Sequence, residues 1–300
     1  QELSTDQSVL LNRAKLYRSI REFFFERDVL EVSTPLLACH TVTDPHIASF
    51  SIDDSLAGGV RYLQTSPEFA MKKLLANGSG AIYSLGPVFR RGESGQKHNP
   101  EFTMLEWYRP EFDLSQLLAE VRALFCGLQK TFGLEVIEPT TRTYQGLFEA
   151  RYGVNPHLSS TGELRLLAER ECPDQLYHLQ DRDEGERDDL LDLLFSFDIE
   201  PELIAPCFVI DFPASQASLA RVAQINEAQV ALRAEFYWQG FELANGYDEL
   251  RDGIELSQRM ERDADLLEAL PKMPNCAGIA LGIDRLLMLL LGKNELSDVL

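Results

Sequence analysis

The 300-residue chain lacks the features of an exported or membrane-embedded protein. No apolar run approaches the roughly 20 residues that a membrane-spanning helix needs. The first residues, QELSTDQSV, carry neither the basic start nor the apolar core of a secretory signal. We therefore expect a cytoplasmic protein.

Cysteine is scarce, and its spacing along the chain shows no paired motif. The five cysteines are widely scattered, and none belongs to a CxxC pair: Cys39, Cys126, Cys172, Cys207 and Cys276. Such a set predicts reduced thiols in the core rather than a disulfide framework or a zinc site.

Positive charge is also in short supply, since the formal net charge is −20. A protein that holds a long nucleic-acid backbone needs clustered Lys and Arg, so extended tRNA or DNA binding is disfavoured. The chain has no G-x-G-x-x-G or Walker A sequence. Any nucleotide site must therefore use side chains that a sheet displays.

The periodic segments predict an α+β fold with a mainly antiparallel sheet flanked by helices, because no regular crossover helices separate the strands. Apolar residues at helical spacing predict helices over 8–27 and 114–132, and Ser66-Pro67-Glu68 predicts a helix start capped by Ser66. Strands are predicted over 29–35, 82–89, 101–108, 207–212, 236–243 and 278–282. We see no internal repeat, and the length favours one large domain over 1–300.

The most informative segment is 89–108, FRRGESGQKHNPEFTMLEWY. Its apolar flanks and polar centre predict a hairpin whose loop faces a ligand. Arg90, at the end of a strand, is suited to bidentate contact with a phosphate, and Phe102 could present a flat face to a base. The alternative is an ordinary surface hairpin.

With HNPEF, GIALGIDR and the first helix, the chain resembles a class II aminoacyl-tRNA synthetase catalytic core. Motif 1 corresponds to the first helix and VLEVSTPLL with Pro35, motif 2 to 89–108, and motif 3 to 278–291 with Arg285. Motif 1 forms the dimer in that family, so the resemblance implies a homodimer. The segments TSPEFAMKKLL, HNPEFTMLEWY and FELANGYDEL resemble the lysyl subgroup.

Lysyl-tRNA synthetases carry an anticodon-binding barrel ahead of motif 1, whereas here the motif 1 helix begins within about the first ten residues. We therefore expect no anticodon-binding domain. A stand-alone core of this kind resembles the bacterial elongation factor P lysine ligases. That resemblance implies activation of lysine or (R)-β-lysine with ATP and transfer to a lysine of elongation factor P. The alternatives are a tRNA-charging core and a catalytically silent paralogue that acts as a regulatory binding module.

The resemblance also implies roles for individual residues. Arg90 would hold the α-phosphate and the substrate carboxylate, and Arg285 would hold the γ-phosphate and cover the adenine opposite Phe102. These two arginines are the expected catalytic residues, since charge develops on phosphate. The ATP-binding set implied is Arg90, Arg91, Glu93, His98, Asn99, Phe102, Glu242, Leu243, Gly282 and Arg285. For His98, a phosphate contact and a loop-shaping role both remain open.

A substrate that ends in an ammonium group needs a buried acid. By resemblance, Glu106 and Glu249 would meet that ammonium, and Glu68 would meet the amino group. The full substrate set implied is Ser66, Pro67, Glu68, Glu106, Tyr108, Asn245, Glu249 and Ala280. The alternatives are that Glu68 only favours the helix dipole and that Tyr108 and Trp107 are core aromatics.

The family pattern makes Glu235 and Glu242 ligands of Mg²⁺, a cation that prefers oxygen donors. Taken without the resemblance, two glutamates seven residues apart are more often unrelated surface charges.

The sequence departs from the family in two motifs. Motif 3 of lysyl synthetases reads Gly-x-Gly-x-Gly-x-x-Arg, and Ala280 replaces the middle glycine, which we hypothesise shifts preference toward β-lysine. Motif 2 usually reads Arg-x-Glu, whereas Gly92 stands here with Glu93 one place later. Either Glu93 substitutes after a local shift, or an ATP contact is lost. The segment 262–266 also looks shorter than in the family.

Overall fold

A computed structural model of the chain describes residues 6–40, 47–54, 59–93, 95, 98–176, 185–259 and 264–300. Residues 262 and 263 of the segment 262–266 lie outside these ranges. None of the helices in the described ranges combines the length and the apolarity that crossing a bilayer requires.

The strands and helices alternate irregularly along the chain. The strands are β1 (Leu30–Glu31), β2 (Leu37–Ala38), β3 (Ser51–Asp54), β4 (Gly59–Leu63), β5 (Ile82–Phe89), β6 (Glu101–Pro110), β7 (Thr140–Thr143), β8 (Cys207–Pro213), β9 (Val222–Ile225), β10 (Ala228–Trp238), β11 (Phe241–Asp248) and β12 (Cys276–Gly282). The helices are α1 (Gln7–Phe25), α2 (Glu68–Ala76), α3 (Leu114–Thr131), α4 (Tyr144–Tyr152), α5 (Thr161–Glu171), α6 (Pro173–Leu176), α7 (Glu186–Leu194), α8 (Gly253–Arg259), α9 (Ala264–Ala269) and α10 (Ile283–Leu290).

The first of two compact units comprises Gln1–Val136 and Glu249–Leu300. Its main strands pair in the order β1, β5, β6 and β12, with β5, β6 and β12 antiparallel and β1 parallel to β5. A smaller antiparallel sheet has the order β2, β4, β3. Strand β6 is therefore central, with a partner on each edge along most of its length.

One face of β6 packs into the core of the first unit. Trp107 is fully buried there, its ring 5.4 Å from that of Phe24 on α1, and its indole nitrogen donates to Glu120 on α3 at 3.1 Å. Successive side chains of a strand alternate between faces. Because Trp107 occupies the helix-covered face, Glu106 and Tyr108 occupy the other.

The second unit, Ile137–Asp248, contains strands in the order β11, β10, β8 and β7, with β9 paired to the start of β10. Strand β7 is parallel to β8, and the other pairs are antiparallel. The aromatic rings of Tyr144, Phe195 and Phe212 pack together in its core, with Tyr144 and Phe195 stacked at 5.1 Å.

The predicted fold class is confirmed, as are the helices over 8–27 and 114–132 and the hairpin at 89–108. The strand predicted over 236–243 is wrong, because Gln239 and Gly240 both have positive φ (53° and 71°) and form the turn between β10 and β11. The strand predicted over 29–35 is cut to two paired residues. The predicted Ser66 cap is also wrong, because Pro67 takes the N-cap position without a side-chain bond.

The first prediction concerns Asp284 on α10, a buried carboxylate that pairs with Arg13 at 2.6 Å and accepts from the backbone N–H of Thr103 at 2.6 Å. Asp284→Ala leaves both partners uncompensated, so the free energy of unfolding should fall by about 2 to 4 kcal/mol. Chemical denaturation measures this loss, with Asp298→Ala, at an exposed position, as the control. Equal stability of the two variants would contradict the assignment.

Candidate active site

The open face of the first unit's sheet has a floor of small residues. Across the β6–β12 pairing, Gly278 lies opposite Tyr108 and Ala280 lies opposite Glu106. On the other edge of β6, Ser84 is the partner of Glu106. Residues that stand opposite each other in a sheet share a face, so Glu106 is flanked by two small side chains. Glu106 therefore has only small side chains beside it on this face.

Glu106 and Tyr108 form a buried pair on β6. Each is only 2% exposed, and the Tyr108 hydroxyl donates to Glu106 Oε1 at 2.7 Å. Burial raises the pKa of Glu106 to about 8, and the charge of Glu68 adds to the rise. The carboxyl therefore changes its charge close to neutral pH.

The start of α2 brings a second carboxylate and a lysine to the same group. Lys72 is fully buried, and its Nζ lies 2.7 Å from Glu68 Oε1 and 2.6 Å from Glu249 Oε2. Burial opposes its charge, but the two carboxylates outweigh that effect and raise the pKa of Lys72 above its ordinary value. We call Glu68, Lys72, Glu106, Tyr108 and Glu249 the carboxylate cluster.

The cluster is packed so closely that Gly278 cannot carry a side chain. A Cβ at this position would lie 2.3 Å from the Tyr108 ring and 2.8 Å from Glu249 Oε1. The backbone of Glu249 is fixed by a bond from its N–H to the Cys276 carbonyl at 3.0 Å. Glycine is thus required where strand and cluster meet.

Arg90, which directly follows β5, lies beside Phe102, its guanidinium carbon 5.2 Å from the ring centroid. Its Nε donates to the Thr65 carbonyl at 3.3 Å, and one terminal nitrogen is 3.6 Å from Glu93. Arg90 is about a quarter exposed, so the guanidinium is anchored yet accessible. Gly92 has a φ of +88°, the turn through which Glu93 comes back toward Arg90.

The rest of the predicted motif 2 set lies in the loop. The N–H of Arg91 donates to the Ala48 carbonyl at 2.7 Å, and His98 closes a backbone turn with Gly95. The side-chain amide of Asn99 donates to the Glu101 carbonyl. These contacts shape the loop; residues 94, 96 and 97 lie outside the described ranges.

Motif 3 places Gly282 at the N-cap of α10 and Arg285 in its first turn. Both are half-buried. Ser66 and Pro67 directly precede α2, the helix that carries Glu68 and Lys72. The first unit therefore carries the predicted arginines, Phe102 and the carboxylate cluster.

The remaining predicted residues belong to the second unit. Glu235 on β10 is 5% exposed and accepts from Arg233 and Tyr237, with the Asn245 amide at 3.4 Å. The surface-charge alternative is therefore wrong for Glu235. Glu242 pairs with Tyr237 across the hairpin and is half-buried; the neighbouring Leu243 is buried.

Glu235 and Glu242 are the candidate ligands of a divalent cation. Within the described ranges, no group of three or more His, Cys, Asp and Glu side chains is arranged to hold a metal ion. Mg²⁺, however, is commonly bound by one or two carboxylates together with phosphate and water. Glu235 and Glu242 supply carboxylate oxygens on adjacent strands, and Glu242 stands opposite Tyr237, whose hydroxyl donates to Glu235, so the donor chemistry fits.

Sequence reasoning missed two cations, the buried Lys72 and the half-buried Arg233. Lys72 is four residues after Glu68 on α2, a spacing that usually indicates an exposed helical ion pair. Arg233 precedes Glu235 by two residues and so shares its strand face, where it also lies over the Phe212 ring at 4.7 Å. The spacings were visible, but the burial was not.

The chain is similar to known proteins along nearly its whole length. A sequence model of the family described as tRNA synthetases class II (D, K and N) matches residues 3–300. Elongation factor P–(R)-β-lysine ligase of Histophilus somni (strain 2336) is 44% identical over 97% of this chain and 93% of the relative. The protein of the same name from Pseudoalteromonas translucida (strain TAC 125) is 43% identical over 99% of this chain and 95% of the relative.

The second prediction follows from Glu106, whose pKa rises from 4.5 to about 8 through burial. Between these values the folded chain keeps a proton that the unfolded chain has released, so folding stability falls as pH rises through this window. Glu106→Gln removes this dependence. Its stability relative to the wild type should therefore increase from pH 4.5 to 8 by a few kcal/mol, on the order expected from the shift.

Urea unfolding at a series of pH values measures this difference. Glu101→Gln, at an exposed position of the same strand, is the control and should parallel the wild type. A pH-independent difference between Glu106→Gln and the wild type would show that Glu106 is ionised throughout.

Proposed function

We propose a function from the premise that this chain belongs to the class II aminoacyl-tRNA synthetase family and, within it, to the elongation factor P–(R)-β-lysine ligases. The proposed enzyme is an ATP-dependent ligase. It activates (R)-β-lysine or lysine as the aminoacyl-adenylate with release of pyrophosphate, and then transfers the aminoacyl group to the amine of a lysine side chain of elongation factor P with release of AMP. The observation that carries this proposal is the buried carboxylate cluster.

The cluster suits a substrate with ammonium groups. A carboxylate taken out of water is stabilised by a paired cation, and an aliphatic ammonium supplies both charge and hydrogen-bond donors. Glu106 and Glu249 are proposed to receive the side-chain ammonium with the Tyr108 hydroxyl, and Glu68 to receive the amino group. Asn245 is proposed as a further polar contact.

Adenylation needs charge compensation around phosphorus rather than a nucleophilic side chain. The substrate carboxylate attacks the α-phosphate, the bond to the leaving pyrophosphate breaks, and negative charge develops on the phosphate oxygens. Arg90 and Arg285 are proposed to stabilise that charge, and Phe102 to stack on the adenine. The anchoring of Arg90 to the Thr65 carbonyl supports this role, since a pre-oriented guanidinium needs no reorganisation.

Mg²⁺ is proposed to be held by Glu235 and Glu242, where it would neutralise charge on the ATP phosphates. The tyrosine and arginine bonded to Glu235 fix the direction of its carboxylate. Arg91, Glu93, His98, Asn99, Leu243 and Gly282 complete the proposed ATP-binding set.

The enzyme is further proposed to be a cytoplasmic homodimer acting through a single catalytic domain over 1–300. The N-terminal region exposes large apolar side chains, which an interface would cover: Leu10 (56%), Leu11 (64%), Phe25 (83%) and Leu30 (59%). Elongation factor P is the proposed protein partner, and neither extended tRNA binding nor membrane association is part of the proposal.

The third prediction tests both half-reactions. ATP–pyrophosphate exchange should depend on (R)-β-lysine or lysine, and labelled aminoacyl groups should pass to elongation factor P rather than to tRNA. Arg285→Ala should reduce exchange by about 100-fold or more, because the positive charge that stabilises the leaving pyrophosphate is lost. Arg170→Ala, on α5 and exposed, is the control.

Two outcomes would contradict the proposal. Charging of tRNA in place of elongation factor P would assign the chain to tRNA aminoacylation. Amino-acid binding without any exchange would indicate a silent paralogue with a regulatory role.

The fourth prediction concerns Ala280, which lies opposite Glu106 on the small-residue floor. Ala280→Gly removes a methyl group and should let the α-amino isomer fit better, changing the ratio of lysine to β-lysine activation by about tenfold. The ratio of kcat/KM values in pyrophosphate exchange measures this effect. An unchanged ratio would show that the Ala280 methyl does not discriminate between the isomers.

A further inference from the structure

A lysine inside a pocket that is proposed to bind lysine-type molecules needs a physical explanation. The Lys72 side chain is fully buried, and two carboxylates contact its ammonium at 2.6 and 2.7 Å. One of these, Glu68, stands one helical turn before Lys72 on α2, and the other, Glu249, follows β11 in the sequence. Lys72 thus forms ion pairs with two carboxylates, Glu68 and Glu249, from distant parts of the chain.

We propose that Lys72 is a positioning residue that sets the charge of the carboxylate cluster to match an amino acid with two ammonium groups. This inference rests on the proposed function. Lys72 acts through Glu68 and Glu249, whose carboxylates it orients, and not by contact with the substrate.

The charge balance supports this role. Three carboxylates face one ammonium, so the cluster carries two negative charges when Glu106 is ionised. A diamino acid brings two ammonium groups, and its carboxylate is proposed to meet Arg90. Without Lys72 the cluster would hold three negative charges, which two ammonium groups cannot neutralise, and an uncompensated buried charge is strongly unfavourable.

The pKa of Glu106 depends on the charges around it. The charged and titratable groups that face it are Glu68 and Lys72 from α2, Tyr108 from its own strand and Glu249. Its neighbours across the sheet, Ser84 and Ala280, carry no charge. Burial raises the pKa of Glu106 to about 8, while the hydrogen bond from Tyr108 and the charge of Lys72 oppose this rise. A bound substrate ammonium favours the ionised form, so binding at neutral pH should release a proton from Glu106.

The fifth prediction uses Lys72→Met, which keeps the length of the side chain and removes its charge. Lys73→Met, at the next position of the same helix, is the matched control. In pyrophosphate exchange, Lys72→Met should raise KM for the amino acid by roughly tenfold or more and leave KM for ATP unchanged. The rise of kcat/KM for the amino acid with pH should move to higher pH, because the cation that lowers the pKa of Glu106 is gone.

A merely structural role would lower stability and the amount of active enzyme without moving the pH midpoint. An unchanged midpoint and an unchanged KM for the amino acid in folded Lys72→Met would therefore overturn the inference. Thermal unfolding of both variants establishes that the proteins compared are folded.

The wild-type enzyme provides a test that needs no variant. Calorimetric titration in buffers of different ionisation enthalpy measures the protons released on binding. At pH 7, a lysine-type diamino acid should release close to one proton, and a 3-aminohexanoic acid, which lacks the second ammonium, should release none. Equal release by the two would refute the proposed coupling. Failure of the wild type to exchange pyrophosphate with any diamino acid would instead refute the proposed function.

Discussion

The candidate site depends on one register of strand pairing. Strand β6 pairs with β12 so that Tyr108 faces Gly278 and Glu106 faces Ala280. A slip by one residue would turn Glu106 into the helix-packed core and Trp107 into the open face, because side chains alternate along a strand. The edge-to-face contact of Trp107 with Phe24 and the bond from its indole nitrogen to Glu120 fix the register from the core side. The packing of an apolar face thus decides where the charged groups stand.

The charged groups in turn depend on one another. Lys72 keeps its charge in the core because Glu68 and Glu249 lie beside it, and the same contacts hold the two carboxylates together. Glu106 accepts from the Tyr108 hydroxyl, and the charge of Lys72 also lowers its pKa. The cluster therefore contains three carboxyl groups and one ammonium group, that of Lys72.

Long periodic segments and the hairpin at 89–108 could be predicted from the sequence, because helical and strand periods extend over many residues there. The turn at Gln239 and Gly240 could not, since a glutamine with positive φ has no compositional marker and the apolar residues on either side resemble a single strand. The burial of Lys72 was equally hidden. A Glu and a Lys four residues apart look the same on a solvated helix and on one that faces a sheet, and only the fold brings Glu249 to them. Residue roles came from the family resemblance, and physical chemistry alone predicted only which residue types suit the reaction.

The altered motif 2 can be understood from the same balance of charges. The contact between Arg90 and Glu93 spans 3.6 Å, beyond hydrogen-bond length, and both side chains are partly exposed, so it contributes little free energy. Its effect is on direction: with the Thr65 carbonyl at Nε and Glu93 near one terminal nitrogen, the guanidinium is held beside Phe102. A phosphate makes shorter, bidentate, charge-assisted bonds with arginine and would displace so weak a partner. If Arg90 binds phosphate as proposed, Glu93 would orient it before ATP binds and would not compete with ATP afterwards. The left-handed conformation of Gly92 is the backbone condition for that arrangement.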